Sequence, residues 1–481
     1  RDIINYLNPK SIDFGISGSI ATEDIIKIIG KELKPYIHYA GSIPIKLTLN
    51  GNNKKQTMFF QSMMDKNNFI TPVDFNELQE KTITLQSVID FKGNRTKIKK
   101  TGFYERTVTV DDKGNEIINL DEIFGIDGTI MGNRINLIKI TMPKTLTGKL
   151  AIFPKSSFAL TGKAFVFGET SNPRFRGGFN VQSFKAPELL TDIRNLSLRF
   201  RGHEADINID DLLMNGSDMQ IKTTFSLLPS SVFHITHLNI DSRYLNVDKL
   251  MVVVERAMKY VPTSSPSSQN AKASDIPVDI RNGFINFARI IVGNIDIKNT
   301  TSRLSLHNNI LYLDNLKTNA FEGNVRGNIS VNLLSMLLNI KLHGENVDVA
   351  KAMLDAAGMK DMLSGKADFD TDISLQGSTI EEQMKSLLGT VNFLVIDGQF
   401  GPFGKLENMI LAENIRESAF FQTFIGNMLS GLLSVDTTHF SELKGTLKFE
   451  DGICYIEPIT SSGDILALHL FGKFDLLEKL N

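Results

Sequence analysis

Gly323-Asn324-Val325-Arg326-Gly327-Asn328-Ile329-Ser330-Val331 decides the fold. Val325, Ile329 and Val331 occupy alternate positions, with Arg326, Asn328 and Ser330 between them. Period two is the mark of a strand with one apolar face and one wet face. Working outward, Thr446-Leu447-Lys448-Phe449-Glu450-Asp451-Gly452-Ile453-Cys454-Tyr455-Ile456 repeats the pattern on both sides of an Asp-Gly hairpin signal. Such segments, joined by Gly, Asn-Gly and Asp-Gly turns, fill almost the whole chain. Many strands in series make a long sheet with a very large apolar face. Protein, membrane or ligand must cover that face, and the choice among the three is the functional question.

At 481 residues the chain is too long for one compact core, so two or more units or an elongated solid are expected. A net charge of −2, with no basic stripe interleaved with aromatics, argues against a nucleic-acid partner. The lone Cys454 excludes an intrachain disulfide and a cysteine-based zinc or iron–sulfur site. No stretch approaches the roughly 20 apolar residues that span a bilayer; the densest, Leu333 to Ile340, contains Ser335 and Asn339. The sequence starts at Arg1 without a methionine, so it reads as a fragment or processed form with room for a signal or anchor upstream.

Along the first half, Ile12 to Gly18, Ile45 to Leu49, Ile83 to Phe91, Arg106 to Val110, Ile126 to Ile140, Leu150 to Phe153 and Phe158 to Phe167 read as strands. A helix-like stretch covers Asp24 to Leu33, and a polar insertion Met63 to Leu78. Asn50-Gly51 and Asp111 to Asn115 read as turns, as do the Asp-Gly pairs at Asp127, Asp397 and Asp451. The triplet Asn-Val-Asp occurs at 246–248 and 346–348, each time after strands and before an amphipathic helix. The first helix carries Leu250, Met251, Val254, Ala257 and Met258 on one face, with Asn246 or Asp248 as cap. The second carries Ala350, Met353, Leu354 and Ala357. Together they suggest an internal repeat. Ser378 to Glu381 has capping-box spacing for a third short helix. Phe403 to Leu433 is the longest helix candidate. Between the halves, the Ser- and Pro-rich stretch Pro262 to Ser274 reads as a linker. After it, Asp279 to Ile285, Ile291 to Ile297, Arg303 to Leu306, Ile310 to Leu313 and Asn324 to Val331 are strand candidates.

Four stretches carry a family likeness. Leu238 to Leu250, a strand leading into a helix, is one, and Asn319 to Gly327, with its Gly-x-x-x-Gly junction, is another. Leu375 to Gly389 ending at Asp397-Gly398, and Phe440 to Leu447 followed by Asp451-Gly452, complete the set. From about Val181 onward they resemble the AsmA-like family of Gram-negative envelope proteins. The first 180 residues resemble, more weakly, the repetitive region of YhdP-type members. The residues themselves read as mainly β with a few short amphipathic helices. The resemblance implies an elongated, curled antiparallel β-sheet groove, solenoid-like. It further implies a periplasmic protein held at the inner membrane by a segment missing from this chain, moving phospholipids toward the outer membrane and supporting its integrity. Four parts are expected: a β-rich groove segment (1–180), strands plus a helix (181–261), the linker (262–274), and a β region with a terminal amphipathic helix (275–481).

No catalytic constellation is found. His234 and His237 are the only close histidine pair, and i and i+3 on a strand point to opposite faces. HExxH, P-loop and GxSxG patterns are absent; Gly15 to Ser19 lacks the elbow spacing, and Gly401-Pro402-Phe403-Gly404 reads as a turn. The expectation is a non-enzyme without cofactor or metal. Lipid-lining candidates are Ile295, Ile297, Leu304, Leu306, Val325, Ile329, Val391, Phe393, Val395, Leu447 and Phe449. Acyl chains are the expected partners, with the two membranes or proteins in them. Ordinary core packing is the alternative for each lining residue, and Val325 and Phe393 are the positions chosen to separate the two. Two rivals from other classes stay open: an envelope scaffold or outer-membrane assembly factor, and a hydrolase of envelope polymers.

Overall fold

The alternating segments become strands throughout the computed structural model, which describes residues 11–21, 42–64, 73–76, 82–150, 152–228, 230, 232–260, 277–401, 438–462 and 468–477. The expected helices at Asp24 to Leu33 and Phe403 to Leu433, most of the Met63 to Leu78 insertion and the linker Pro262 to Ser274 lie outside the described residues. The fold is mainly β with three short α-helices among the described residues, as the alternation implied. Contacts divide the chain into two units. The first holds Arg1–Asn215, Gln220–Ser230 and Val253–Pro262, and the second Gly216–Met219, Ser231–Val252 and Thr263–Asn481.

In the first unit lie β1 (Ile12–Ala21), β2 (Ser42–Gly51), β3 (Gln56–Met64), β4 (Val73–Phe75), β5 (Ile83–Lys92) and β6 (Arg95–Val110). They are followed by β7 (Glu116–Met131), β8 (Arg134–Leu150), β9 (Phe153–Glu169), β10 (Asn172–Ala186), β11 (Thr191–Gly202) and β12 (Glu204–Met214). Successive strands pair antiparallel, except that β3 pairs β5 while the short β4 lies on the end of β8. The segment Leu150 to Phe153, expected as one strand, is divided between two: Leu150 ends β8 and Phe153 opens β9. Strands β6 to β9 run 16 or 17 residues each, longer than the turn signals suggested. Part of the reason is Asp127-Gly128: it lies inside β7 rather than at a hairpin.

β13 (Ser217–Ser226) falls across the division. In the second unit β14 (Phe233–Ser242) and β15 (Leu245–Asn246) lead into helix α1 (Val247–Met258), whose last residues count with the first unit. Then come β16 (Val278–Val292), β17 (Ile295–His307), β18 (Ile310–Ala320), β19 (Gly323–Asn332) and β20 (Leu337–Asp348). Helix α2 (Val349–Ala357), β21 (Leu363–Gln376), helix α3 (Ile380–Ser386), β22 (Leu388–Phe400), β23 (Thr438–Glu450), β24 (Ile453–Ser462) and β25 (Leu468–Asp475) complete it. From β16 onward the ladder is antiparallel. One junction departs from the antiparallel expectation: β14 and β15 pair parallel to β16. A parallel step needs a crossover, and the stretch holding α1 supplies it. The expected strand Ile291 to Ile297 is a second correction, because Gly293, at φ +56°, turns the chain in its middle.

The two Asn-Val-Asp copies do not fold alike. Asn246 caps α1, accepting from the Lys249 amide at 2.9 Å, and Asp248 instead accepts from the Gly293 amide at 2.8 Å. In the second copy Asp348 is the cap, accepting from Lys351 at 2.9 Å. The helix therefore starts two residues later. In α1 the buried residue is Val253, while Met251 and Val254 of the expected inward face are exposed; the run Leu250 to Val254 is apolar all round, so its period could not select a face. In α2 Met353 is buried as expected, but Leu354 is exposed. The capping box of α3 is Thr379 with Glu382, one residue beyond the expected start.

Curvature comes from β-bulges, which add a residue to one strand and bend it. In the second unit Asn299, Asn315 and Asn346 sit at such register shifts, each with φ between 52° and 56°. The amide of Asn315 is taken by Asn328 Oδ1 on the next strand at 2.9 Å, and that of Asn346 by Asp368 Oδ1 at 2.8 Å. The first unit repeats the device: Lys100, φ 45°, donates to Asp127 Oδ1 at 3.0 Å. Asp127 is thus a bulge clamp, and Asp397, φ 49°, is a left-handed residue inside β22 rather than a hairpin corner.

Candidate functional site

Strand register collects the apolar side chains of the second unit on one face. Leu304 opposes Leu313, then in turn Ile329, Ile340, Ile373, Gly389, Phe449 and Cys454 across eight strands. A neighbouring row runs Leu316, Gly327, Leu342, Thr371, Val391, Leu447, Ile456. With strands spaced about 4.8 Å apart, eight of them carry an apolar row over roughly 34 Å. On the opposite face the register aligns Asn328, Lys341, Asp372, Thr390 and Lys448. One face is mostly apolar, interrupted by Thr371 and by Gly327 and Gly389, and the other is hydrated.

All eleven residues proposed as lining lie on the apolar face. Ile295 and Ile297 are in odd positions, Leu304 and Leu306 in even ones; the bulge at Asn299 shifts the pleat and brings both pairs to one side. Their surroundings differ. Leu306, Val325, Val395, Leu447 and Phe449 are buried, whereas Ile295, Ile297, Leu304, Ile329, Val391 and Phe393 are half-buried. Val325, Val395, Leu447 and Phe449 belong to one packed cluster with Met353, Met359, Met362, Phe400, Phe440 and Leu443, and Ile297, Val391 and Phe393 pack against it. Helix α2 supplies Met353 and ends at Gly358, whose left-handed φ of 68° lets its amide return to Leu354. Over α2 and β22 to β24 the apolar face is therefore filled.

Space on the filled side is tight. A Cβ on Gly344 would come within 2.2 Å of the Phe369 ring, and one on Gly445 within 2.5 Å of Ile459. The rest of the face is less covered. Leu304, Leu311, Leu313, Ile329, Val331, Leu338 and Ile340 are all half-buried, and Leu334 and Met336 at the rim are 39% and 47% exposed. This section over β17 to β20 was not separable from the filled one in the sequence, because both show identical alternation.

The hydrated face is held by ion pairs. His343 Nδ1 lies 2.7 Å from Asp370 Oδ1, and its Nε2 lies 3.0 Å from Glu345 Oε1, which also takes Arg326 at 2.8 Å. The hydrogen bond to Asp370, followed by that to Glu345, raises the His343 pKa above its usual value. A raised folded-state pKa contributes stability that is fully present below about pH 6.5 and lost as pH climbs through the folded-state value. Chemical denaturation across that window should show stability falling with rising pH by at most one proton's worth of slope. His343→Gln should flatten that component, and an unchanged slope would refute the assignment.

The first unit presents a similar face. Ile140, Ala164, Gly177, Phe200 and Ala205 form one row, and Met142, Gly162, Phe179, Leu198 and Ile207 the next. Phe179 and Phe200 meet edge to face at 6.1 Å. Its packed cluster is small, Ile83, Ile123 and Leu146 with Phe103 and Met142 against them. Most of the remaining apolar face is half-buried.

Among the described residues no group of three or more His, Cys, Asp or Glu is placed to hold a metal ion. His234 Nδ1 lies 3.1 Å from Asp279, which also receives Arg281, so it serves an interstrand hydrogen bond. Cys454 is fully buried, and burial pushes its thiol pKa up to about 12, which suppresses the reactive thiolate. Among the described residues no helix is long and apolar enough to cross a membrane.

Comparison with known proteins adds one likeness. The model of the AsmA family matches residues 197–459, more than half of the chain. No curated protein and no solved structure matches.

Proposed function

Because this chain belongs to the AsmA family, we propose that it is a bridge-like lipid transport protein of the cell envelope. It carries phospholipid acyl chains along its apolar sheet faces between inner and outer membranes and so supports outer-membrane integrity. The observation that carries this reading is the half-buried apolar section over β17 to β20, aligned strand to strand by register. Each methylene laid against such a surface gains about 0.8 kcal/mol. Successive positions of the Leu304 row over these strands are Leu or Ile, so an acyl chain along it meets little change in energy as it slides. Head groups remain at the wet rim. The helix-covered core beside this section supplies rigidity rather than a path.

The mechanism uses no reacting atom, and we assign the protein no enzymatic role, cofactor or metal. We place it in the periplasm, tethered to the inner membrane by a segment outside this sequence. Its partners are phospholipids and the two membranes or proteins within them. The YhdP-like character of the first 180 residues belongs to the same proposal, since the family match begins at residue 197. Its support is the apolar face of the first unit.

Purification of the full chain, lipid extraction and mass spectrometry test the reading. Phospholipid in near-stoichiometric amount is expected. A lipid-free protein would overturn conduction and favour a scaffold whose apolar faces are covered by other polypeptides.

A further inference from the structure

We propose that the distal half of the β6–β7 hairpin is a docking element for a polypeptide strand with alternating apolar and basic residues. The ladder between these strands extends from Val110 opposite Glu116 down to Arg95 opposite Met131. Flanking strands cover only its base: β5 pairs β6 up to Glu105, and β8 pairs β7 from Gly125. Beyond the Arg106 amide, which reaches Thr82 O at 2.9 Å, the described residues place no strand on either outer edge. This ribbon groups five exposed large apolar side chains. Val110 is 66% exposed, Ile118 52%, Val108 46%, Ile117 45% and Leu120 36%. Val108 lies directly opposite Ile118.

Three observations define the occupant. The apolar side chains call for apolar cover. The outer edges present rows of backbone N–H and C=O groups that hydrocarbon cannot satisfy and another strand can. The charge is acidic: residues 105–122 hold six carboxylates against Arg106 and Lys113, a formal −4 where the whole chain carries −2. That field repels anionic head groups and attracts a basic partner. The tip is built to stay rigid. Asp111 Oδ1 accepts from the amides of Lys113 at 2.9 Å and Asn115 at 2.8 Å.

The test places a photo-crosslinking amino acid at position 110 of the full chain in cells and maps the adduct by peptide mass spectrometry. The expected adduct is a peptide alternating apolar and basic residues. Its yield should fall fivefold or more with Asp112→Lys plus Glu116→Lys, with thermal unfolding unchanged. In a second arm Val110→Cys is labelled with a polarity-sensitive dye; the native thiol is fully buried. Vesicles of phosphatidylethanolamine and phosphatidylglycerol should leave the dye spectrum unmoved. A lipid adduct, no adduct, a yield indifferent to the charge reversals, or a dye shift on vesicles would each overturn the proposal. None of these outcomes bears on lipid extraction, so the two proposals fail separately.

Discussion

Val395→Glu is expected to unfold the second unit. Val395 is 3% exposed and faces Ala367 on one neighbouring strand and Leu443 on the other. A carboxylate there loses its water without gaining a cation. The cost is about 3–5 kcal/mol, a large share of the 5–15 kcal/mol by which domains are typically stable (about 0.1 kcal/mol per residue). Denaturant midpoints should drop steeply or the protein should be recovered aggregated. Val395→Ala, which leaves a cavity but no charge, should unfold far less. A Val395→Glu protein with wild-type unfolding would mean that this side of the face is open to solvent, and the division between filled and open sections would fall.

Ile329→Glu is expected to do the opposite: keep the fold and lose the lipid. Ile329 is half-buried at the centre of the open section and directly faces Ile340. A glutamate at this position keeps part of its hydration, so unfolding should shift by only about 1 kcal/mol. It would, however, break the hydrocarbon row that an acyl chain must follow. Losing contact with two methylenes removes about 1.6 kcal/mol, more than tenfold in affinity, before the carboxylate's own desolvation is counted. Phospholipid recovered per protein should therefore fall at least tenfold, with Ile329→Leu restoring it. Retained lipid on a folded Ile329→Glu protein would remove this section from the conduction path.

These choices differ from those the sequence suggested. Val325 and Phe393 alternate as cleanly as Ile329, yet Val325 is 8% exposed and Phe393 packs against the same core. Alternation reports which side of a strand a residue occupies, not what lies above that side. Val325 and Phe393 join a cluster that gathers Met353 of α2 and residues of strands far along the chain, which no local pattern encodes. The strand-rich class, the turns at Asp111 to Asn115 and at Asp451-Gly452, and the three short helices were legible because each depends on neighbours within a few residues. The misread pairs at Asp127 and Asp397 share one cause. An Asp-Gly dipeptide suits a tight turn, and both residues equally suit a strand interior where an aspartate clamps a bulge or itself adopts a left-handed φ. The parallel step at β16 depends on a connection long enough to cross the sheet, and its direction is a matter of topology.

The bulge clamps have a consequence for how such a protein changes over time. The bulges at Lys100, Asn299, Asn315 and Asn346 each hold one left-handed residue and, at three of them, one Asn or Asp reaching from the adjacent strand. Removing the clamp leaves an orphaned amide and lets the ladder straighten locally. The local bend of the sheet is then adjustable by single substitutions, with strand number and the apolar face held constant. On the proposed function, fitting the face to a bulkier or slimmer lipid needs no rebuilding of the sheet, only the moving or deleting of one clamping side chain.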